Sequence, residues 1–107
     1  MVNRFMRVIV MFDLPTTTAE DKRNYQHFRK DLLKMGFDMV QFSVYSRITR
    51  NYDDARKYIN RVKFILPPVG SVRVLQVTEK QYAGMIVMLG DKTPSENLLE
   101  PKDILEI

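Results

Sequence analysis

The sequence predicts an α+β fold, in which two helices pack on one face of a mostly antiparallel β-sheet. Three observations support this prediction. The chain opens with a strand pattern rich in β-branched residues, two later segments carry apolar residues at helical spacing, and further strand patterns lie between and after those segments. With 107 residues, the chain fits a single domain of ordinary size.

The first strand is predicted over residues 4–12, and its continuously apolar second half is typical of a central strand covered on both faces. Pro15 ends this region because proline cannot donate a hydrogen bond to a neighbouring strand. A helix is predicted next, since Thr17 and Glu20 have the spacing of a capping box and Gly36 lies where a helix-ending glycine is expected. The apolar face of this helix consists of Tyr25, Phe28, Leu32 and Met35.

Residues 37–49 are predicted to form one long strand or two short ones. This segment is long for a single strand, so a bulge or bend is expected near residues 41–43. Asn51 is predicted to cap a second helix, which Pro67 and Pro68 end. The buried face of the second helix is predicted to consist of Ala55, Ile59, Val62 and Leu66.

Two more strands are predicted over residues 69–77 and 84–89, with a turn over residues 78–83 between them. The resulting order of elements is typical of a ferredoxin-like βαββαβ sandwich, here with an extra C-terminal strand. This α+β unit is assigned to residues 1–90.

Residues 91–107 are interpreted as a polar, proline-containing linker that leads to a short strand over residues 103–107. Such a strand is expected to dock on an exposed sheet edge, which belongs either to a second copy of the chain or to a partner protein. The alternative is a frayed terminus without a partner.

Several classes of protein and site are excluded by composition. The chain has no cysteine, so disulfides, thiolate catalysis and cysteine-based metal sites are absent. His27 is the only histidine, and we interpret it as an ordinary helix residue because a multi-histidine metal site cannot come from one chain. The longest apolar run, residues 8–12, is too short to cross a membrane, and no signal-peptide pattern follows Met1. A cytoplasmic location without membrane contact is therefore expected.

The formal net charge of +4 is distributed unevenly along the chain. Residues 91–107 hold two basic and five acidic residues, a net charge of −3, so the first ninety residues carry +7. A basic body of this kind suggests a polyanionic partner, although a basic protein with no such partner has the same composition.

Asp13 is the one acidic residue that suggests chemistry, because it follows the best-defined strand. It could be a turn residue before Pro15, or its carboxylate could bind Mg²⁺ or Mn²⁺, which prefer oxygen ligands. One carboxylate makes a poor metal site. Metal chemistry at Asp13 therefore presupposes a homodimer in which two copies of this residue meet across a twofold axis.

Four short motifs in this order resemble the CRISPR-associated adaptation protein two family. They are VMFDLP at residues 10–15, KMGF at residues 34–37, QFSVY at residues 41–45 and TEKQ at residues 78–81. The last motif is close to the form found in type II-A systems of streptococcal kind. The resemblance covers about residues 4–90.

This resemblance implies a ferredoxin-like homodimer that is a metal-dependent endoribonuclease or endonuclease. The family's metal-binding and catalytic acid corresponds to Asp13, with Mg²⁺ or Mn²⁺ as the cofactor. In spacer acquisition, such a dimer bridges two dimers of the CRISPR-associated integrase (adaptation protein one) and supports the central part of the incoming double-stranded DNA. Other type II-A adaptation proteins, and RNA, are further expected partners. The resemblance also implies that nuclease activity is dispensable for this scaffolding role.

The basic residues predicted to contact nucleic acid are Lys22, Arg23, Arg47 and Arg50. Contacts to phosphates need lysine and arginine on a broad surface and no base-reading side chains, which suits capture of DNA of any sequence. Each of these residues can equally be an ordinary solvated charge. Phe5 and Phe42 could belong to an RNA-stacking sheet, but the glycine-and-aromatic signature of that module is missing, so a sheet used for dimerisation explains them better.

Two other functions compete with a scaffold in CRISPR adaptation. One is a stand-alone metal-dependent endoribonuclease of toxin type with the same fold. The other is a regulatory domain that binds a small effector, which the basic body and the lack of a glycine-rich ligand loop disfavour.

Overall fold

The computed structural model describes residues 4–97, which form a four-stranded antiparallel sheet with two long helices on one face. The strands lie in the order β2-β3-β1-β4, so β1 is central and β2 and β4 are the edges. The predicted α+β fold with βαββαβ order is confirmed. The elements are β1 (Met6–Asp13), α1 (Ala19–Lys34), β2 (Asp38–Gln41), β3 (Val44–Thr49), α2 (Tyr52–Phe64), β4 (Ser71–Thr78) and α3 (Glu79–Ala83), followed by a short 3₁₀ helix (Pro94–Asn97).

The two faces of β1 have different surroundings. Val8, Val10 and Phe12 are buried against α1 and α2 in the hydrophobic core. Because side chains alternate along a strand, the other residues of β1 lie on the opposite face of the sheet, which we call the open face. There Ile9 and Met11 are only half-buried. The prediction that β1 is central is correct, but within the described part of the chain its second face is only partly covered.

Helix α1 begins one residue later than the sequence predicted. Its capping box uses Thr18 and Asp21 instead of Thr17 and Glu20: the Thr18 Oγ1 accepts from the Asp21 amide at 3.0 Å, and the Asp21 carboxylate accepts from the Thr18 amide at 3.1 Å. Both pairs have the required spacing, so the sequence could not separate them. The prediction for the end of the helix is confirmed, since Gly36 follows it with φ +84°.

Residues 37–49 form two short strands, as one of the two predicted alternatives had it. A two-residue turn, Phe42–Ser43, joins β2 to β3, because Gln41 pairs with Val44. The register shifts between Met39 and Gln41, which places the expected irregularity close to its predicted position. Ser43 adopts a φ of 63°, a conformation that side chains rarely occupy.

Asn51 caps α2 as predicted, and its side-chain oxygen accepts from the Asp54 amide at 2.8 Å. The helix ends at Phe64, before the two prolines. Leu66 therefore lies outside the helix and is half exposed, so its assignment to the buried face was wrong. A residue before proline is biased away from helical geometry, which accounts for the early end. The buried residues of α2 are Ala55, Tyr58 and Val62.

The C-terminal predictions need correction. Strand β4 covers Ser71–Thr78 and the predicted turn after it is the short helix α3, whose capping box joins Thr78 and Gln81. Residues 84–89 do not form a strand, and the five apolar side chains of residues 85–89 are exposed. A strand needs a neighbouring edge, and within the described residues this segment pairs with none. The strand predicted over residues 103–107 lies outside the described residues.

Among residues 4–97, no helix is both long and apolar enough to cross a membrane.

Candidate functional site

Asp13 is the last residue of β1 and is exposed at the end of the central strand. On one side it pairs with Ser71 of β4. On the other side, the amide of Phe12 donates to the Ser43 carbonyl oxygen at 3.1 Å, which brings the β2–β3 turn to the same end of the sheet. We call this end of the sheet the Asp13 end. It is formed by Asp13, the turn Phe42–Ser43, and Gly70 and Ser71.

Strand alternation places Asp13 on the open face, with Ile9 and Met11 and opposite the buried Phe12. The carboxylate therefore projects away from both long helices.

Gly70 packs closely against the backbone of Asp13. Its φ of +114° suits glycine, and a Cβ added there would lie 2.6 Å from Leu14 Cδ2 and 2.9 Å from the carbonyl oxygen of Asp13. Any other residue at position 70 would displace either the buried Leu14 or the Asp13 backbone. The loop before β4 thus fixes the position of Asp13 through backbone contact.

The described residues contain no group of three or more histidine, aspartate or glutamate side chains that could hold a metal ion. Within residues 4–97 of a single chain, Asp13 is thus not part of such a group. An oxygen donor on an exposed strand end suits Mg²⁺ or Mn²⁺, which retain several waters, but the site needs a second carboxylate to bind such an ion well.

The four basic residues predicted to contact nucleic acid fall into two separate pairs. Lys22 and Arg23 are exposed near the start of α1. This start lies toward the Asp13 end of the sheet, because α1 begins shortly after Asp13. Arg47 and Arg50 lie on and after β3, toward the opposite end of the sheet, where Thr49 pairs with Met6. The structure therefore does not bring the four residues together into one patch.

Arg47 is held inside the protein more firmly than the sequence suggested. Its Cζ lies 4.0 Å from the centre of the Tyr58 ring, and its Nη2 donates to the Tyr58 hydroxyl at 2.8 Å. The guanidinium also lies against Gly36, where an added Cβ would lie 1.9 Å from Nη1. Arg47 therefore stabilises the contact of β3 with α2 and with the end of α1.

Arg50 is exposed and forms an ion pair with Asp54, with 3.7 Å between Arg50 Nε and Asp54 Oδ2. The backbone amide of Arg50 donates to this carboxylate and lowers the pKa of Asp54; burial works against this shift, and Lys57 at 3.2 Å adds to it. Together with Arg47, Tyr58 and Phe5, these groups line a shallow groove of about 330 Å³. Its position at the end of the sheet opposite Asp13 makes it a separate basic surface.

A buried polar network on the open face was missed by the sequence reasoning. Arg7 is 2% exposed and is held at two points by Glu79 of α3: Nε donates to Oε1 at 2.8 Å, and Nη2 donates to Oε2. The Tyr82 ring lies over this guanidinium, 4.3 Å from Cζ. The available signal was an arginine directly before the apolar run of β1, but its partner is 72 residues away.

The network continues into the last described residues. The Tyr82 hydroxyl donates to the Glu96 carboxylate, which also accepts from the Thr93 amide at 2.9 Å. Burial and the Glu96 carboxylate raise the pKa of Tyr82 to about 12. Burial disfavours the charged form of Glu96, but the hydrogen bonds from Tyr82 and Thr93 and the charge of Arg7 outweigh it, so the pKa of Glu96 is lowered. Residues 93–96 are thus attached to α3.

Comparison with known proteins identifies a family. The family model for CRISPR associated protein Cas2 matches residues 6–85, which include the whole sheet, Asp13 and α3.

Similar proteins include three that are named CRISPR-associated endoribonuclease Cas2. The chain is 52% identical over 85 residues to the protein of Acidovorax ebreus, an alignment that covers 79% of this chain and 83% of that protein. It is 49% identical over 86 residues to the protein of Treponema denticola, covering 80% and 85% respectively. It is 48% identical over 90 residues to a protein of Streptococcus mutans, covering 84% and 83% respectively.

Proposed function

This chain belongs to the CRISPR associated protein Cas2 family, and on that premise we propose that it is a homodimeric protein of CRISPR spacer acquisition with a metal-dependent endoribonuclease site at Asp13. The observation that carries the proposal is the position of Asp13. It is an exposed carboxylate at the end of the central strand, on the face of the sheet that the helices leave uncovered.

A homodimer explains both uncovered apolar surfaces of the described chain. The open face presents half-buried Ile9 and Met11 and half-exposed Leu75, and residues 85–89 carry five exposed apolar side chains. Among the described residues, strand β4 is an edge of the sheet and pairs only with β1. Residues 85–89 of one copy can add to the β4 edge of the other copy, which would give that segment the hydrogen-bonding partner that it does not find among residues 4–97 of its own chain, and the two open faces can then pack together.

In such a dimer the Asp13 carboxylates of both copies would hold Mg²⁺ or Mn²⁺. When bound, the ion supplies Lewis-acid stabilisation of a phosphate and lowers the pKa of a coordinated water. The chain's own contribution is positional. Gly70 and Ser71 hold the backbone of Asp13 from the β4 side, and the Phe12–Ser43 hydrogen bond holds the preceding residue from the β3 side.

The scaffold role rests on charge. Lys22 and Arg23 are exposed, and Arg50 presents its side chain to solvent beside the groove. These residues suit contacts to the phosphates of double-stranded DNA, with no base reading. The partners we propose are a second copy of the chain, the CRISPR-associated integrase (adaptation protein one), other type II-A adaptation proteins, and DNA or RNA. Residues 91–107 carry the acidic charge, and we propose that they dock either on the second copy of the chain or on the integrase.

The toxin-type ribonuclease remains the second candidate function because the relatives are named endoribonucleases. It would use the same Asp13 but would need no integrase. An integration assay with the purified chain, the integrase, repeat DNA and a spacer duplex distinguishes the two functions. Integration that requires the chain supports the scaffold, whereas no integration in the presence of the chain supports the stand-alone enzyme.

The site itself is tested with Asp13→Asn. We expect this variant to lose Mg²⁺- or Mn²⁺-dependent cleavage of single-stranded RNA while it still folds, forms dimers and supports spacer integration. Asp91→Asn is the matched control, because it removes an exposed carboxylate outside the site. Metal-dependent cleavage by Asp13→Asn at the wild-type rate would move the site elsewhere.

A further inference from the structure

The β2–β3 turn carries an aromatic side chain with little structural use. Phe42 is 79% exposed, so its burial contributes little to the stability of the core. It lies at the tip of the hairpin instead of within the sheet, so a sheet-to-sheet dimer contact of the kind expected from the sequence does not by itself account for it.

The ring of Phe42 is nevertheless held in a defined orientation. It stacks on Tyr25 of α1, with 6.3 Å between the ring centres and 24° between the ring planes. Tyr25 in turn meets Phe12 edge-on at 6.0 Å, and Phe12 packs against buried Phe28 and Tyr45. Phe42 is therefore the outermost ring of an aromatic cluster that begins in the core.

The same cluster connects Phe42 to the candidate metal ligand. Phe12 immediately precedes Asp13, and its amide donates to the carbonyl oxygen of Ser43, the residue after Phe42. Phe42 and Asp13 are thus fixed at the same end of the sheet by one hydrogen bond and one stacked pair.

We propose that Phe42 is a stacking platform for an unpaired RNA base, and that it positions the strand at the end of the sheet where Asp13 lies. The inference rests on the endoribonuclease proposed above. Aromatic side chains bind unpaired bases through their π-faces with little regard to base identity. A base inside a duplex is already stacked on both sides, so the platform favours an unpaired strand and plays no part in holding double-stranded DNA.

Positive charge near Tyr25 and Phe42 suits the binding of single-stranded RNA. Lys22 precedes Tyr25 by three residues on α1 and Arg29 follows it by four, so both lie on the Tyr25 face of the helix. Two positive charges on that face suit the phosphates that flank a stacked base.

The test measures binding of a single-stranded RNA that contains 2-aminopurine, whose fluorescence is quenched when it stacks on an aromatic ring. All variants carry Asp13→Asn so that the probe is not cut. We expect Phe42→Ala and Phe42→Leu to weaken binding about fivefold or more and to lose the quenching, while Phe42→Tyr retains both. Tyr52→Ala is the matched control, because Tyr52 is another exposed aromatic residue but begins α2 at the opposite end of the sheet.

The outcomes distinguish this proposal from the one on which it rests. If the wild-type chain cuts RNA and Phe42→Ala binds the probe as tightly as its parent, with the same quenching, then the stacking platform is wrong and the nuclease at Asp13 stands. An equal loss of duplex DNA binding in Phe42→Ala would also overturn the platform, since it would indicate a general structural effect. If the parent binds no single-stranded RNA at all, both proposals fail.

Discussion

The guanidinium of Arg7 and the carboxylate of Glu79 form a buried two-point ion pair that attaches α3 to the central strand of the sheet. Both side chains are almost completely buried, and the Tyr82 ring covers the guanidinium. Because α3 leads directly into residues 85–89, this ion pair determines where the exposed apolar segment leaves the domain. The dimer surface proposed above therefore depends on a contact inside each chain.

We predict that Glu79→Gln lowers the free energy of unfolding by about 3–5 kcal/mol, because it leaves the Arg7 charge buried without a partner. Lys57→Ala removes the ion pair between half-exposed Lys57 and Asp54, which keeps Arg50 as a partner, and should cost at most about 1 kcal/mol. Urea unfolding at one fixed protein concentration measures both. Equal losses in the two variants would show that the Arg7–Glu79 pair contributes no more than a surface contact.

The hydrogen bond between Tyr82 and Glu96 should weaken at both low pH and high pH. The pKa of Glu96 is lowered by folding, so its contribution to stability is present above the unfolded value, 4.5, and is lost as pH falls through the folded pKa. The pKa of Tyr82 is raised from 10.0 to about 12, so its contribution is complete below pH 10.0 and is lost as pH rises through about 12. Residues 93–96 should therefore be most firmly attached between these limits.

Ultraviolet absorbance of tyrosinate during an alkaline titration checks the upper limit. Comparison of the wild type with Tyr82→Phe should show that the variant lacks an ionisation near pH 12. If the step that disappears instead lies near pH 10, the Tyr82 hydroxyl is not held by Glu96 in solution.

Gly70→Ala is predicted to damage both the fold and the site. The added Cβ would occupy a strained φ and approach the Asp13 carbonyl oxygen, which should cost about 1–3 kcal/mol of stability and reduce metal-dependent cleavage through displacement of Asp13. Gly90→Ala is a matched control, since Gly90 also has a positive φ but has no neighbour within 4 Å of an added Cβ. Thermal unfolding and cleavage assays should show a loss of activity in Gly70→Ala alone; unaltered cleavage in that variant would mean that Gly70 does not position Asp13.

The structure shows which features are readable from the sequence. The Asn51 cap and the Gly36 helix end were predicted correctly because each depends on a few consecutive residues. The capping box of α1 was placed one residue too early, because adjacent threonines and adjacent acids offer two equivalent pairs, Thr17 with Glu20 and Thr18 with Asp21. Asp13 was identified because it follows the best-defined strand, and because the surrounding motif resembles a known family.

Contacts between residues that are distant in the sequence could not be predicted from it. Residues 84–89 have the composition of a strand, but strand formation needs a neighbouring edge, and composition does not reveal whether one is present. The Arg7–Glu79 pair joins residues 72 positions apart, and nothing in the sequence around Arg47 indicates its contact with Tyr58. These features depend on which elements become neighbours in the folded chain.

Charge reversal should separate the two pairs of basic residues. Lys22→Glu with Arg23→Glu is predicted to weaken binding of duplex DNA equally across sequences and to reduce the slope of affinity against salt, with little change in stability, because both side chains are exposed. Arg47→Glu should instead lower the stability, since the variant loses the Tyr58 contacts. Fluorescence anisotropy over a range of salt concentrations, paired with thermal unfolding, measures both effects. A sequence-selective loss in the Lys22–Arg23 variant would contradict contacts to the backbone alone.

The stoichiometry of Mn²⁺ binding tests the central claim most directly, because the account requires two copies of Asp13 to share one site. Calorimetric titration of the metal-free protein, with the mass of the assembly measured by sedimentation in the same buffer, gives both quantities. The account predicts a dimer that binds one Mn²⁺ for every two chains, and no such binding in Asp13→Asn. One tightly bound Mn²⁺ per chain in a monomer, or unchanged binding in Asp13→Asn, would contradict it.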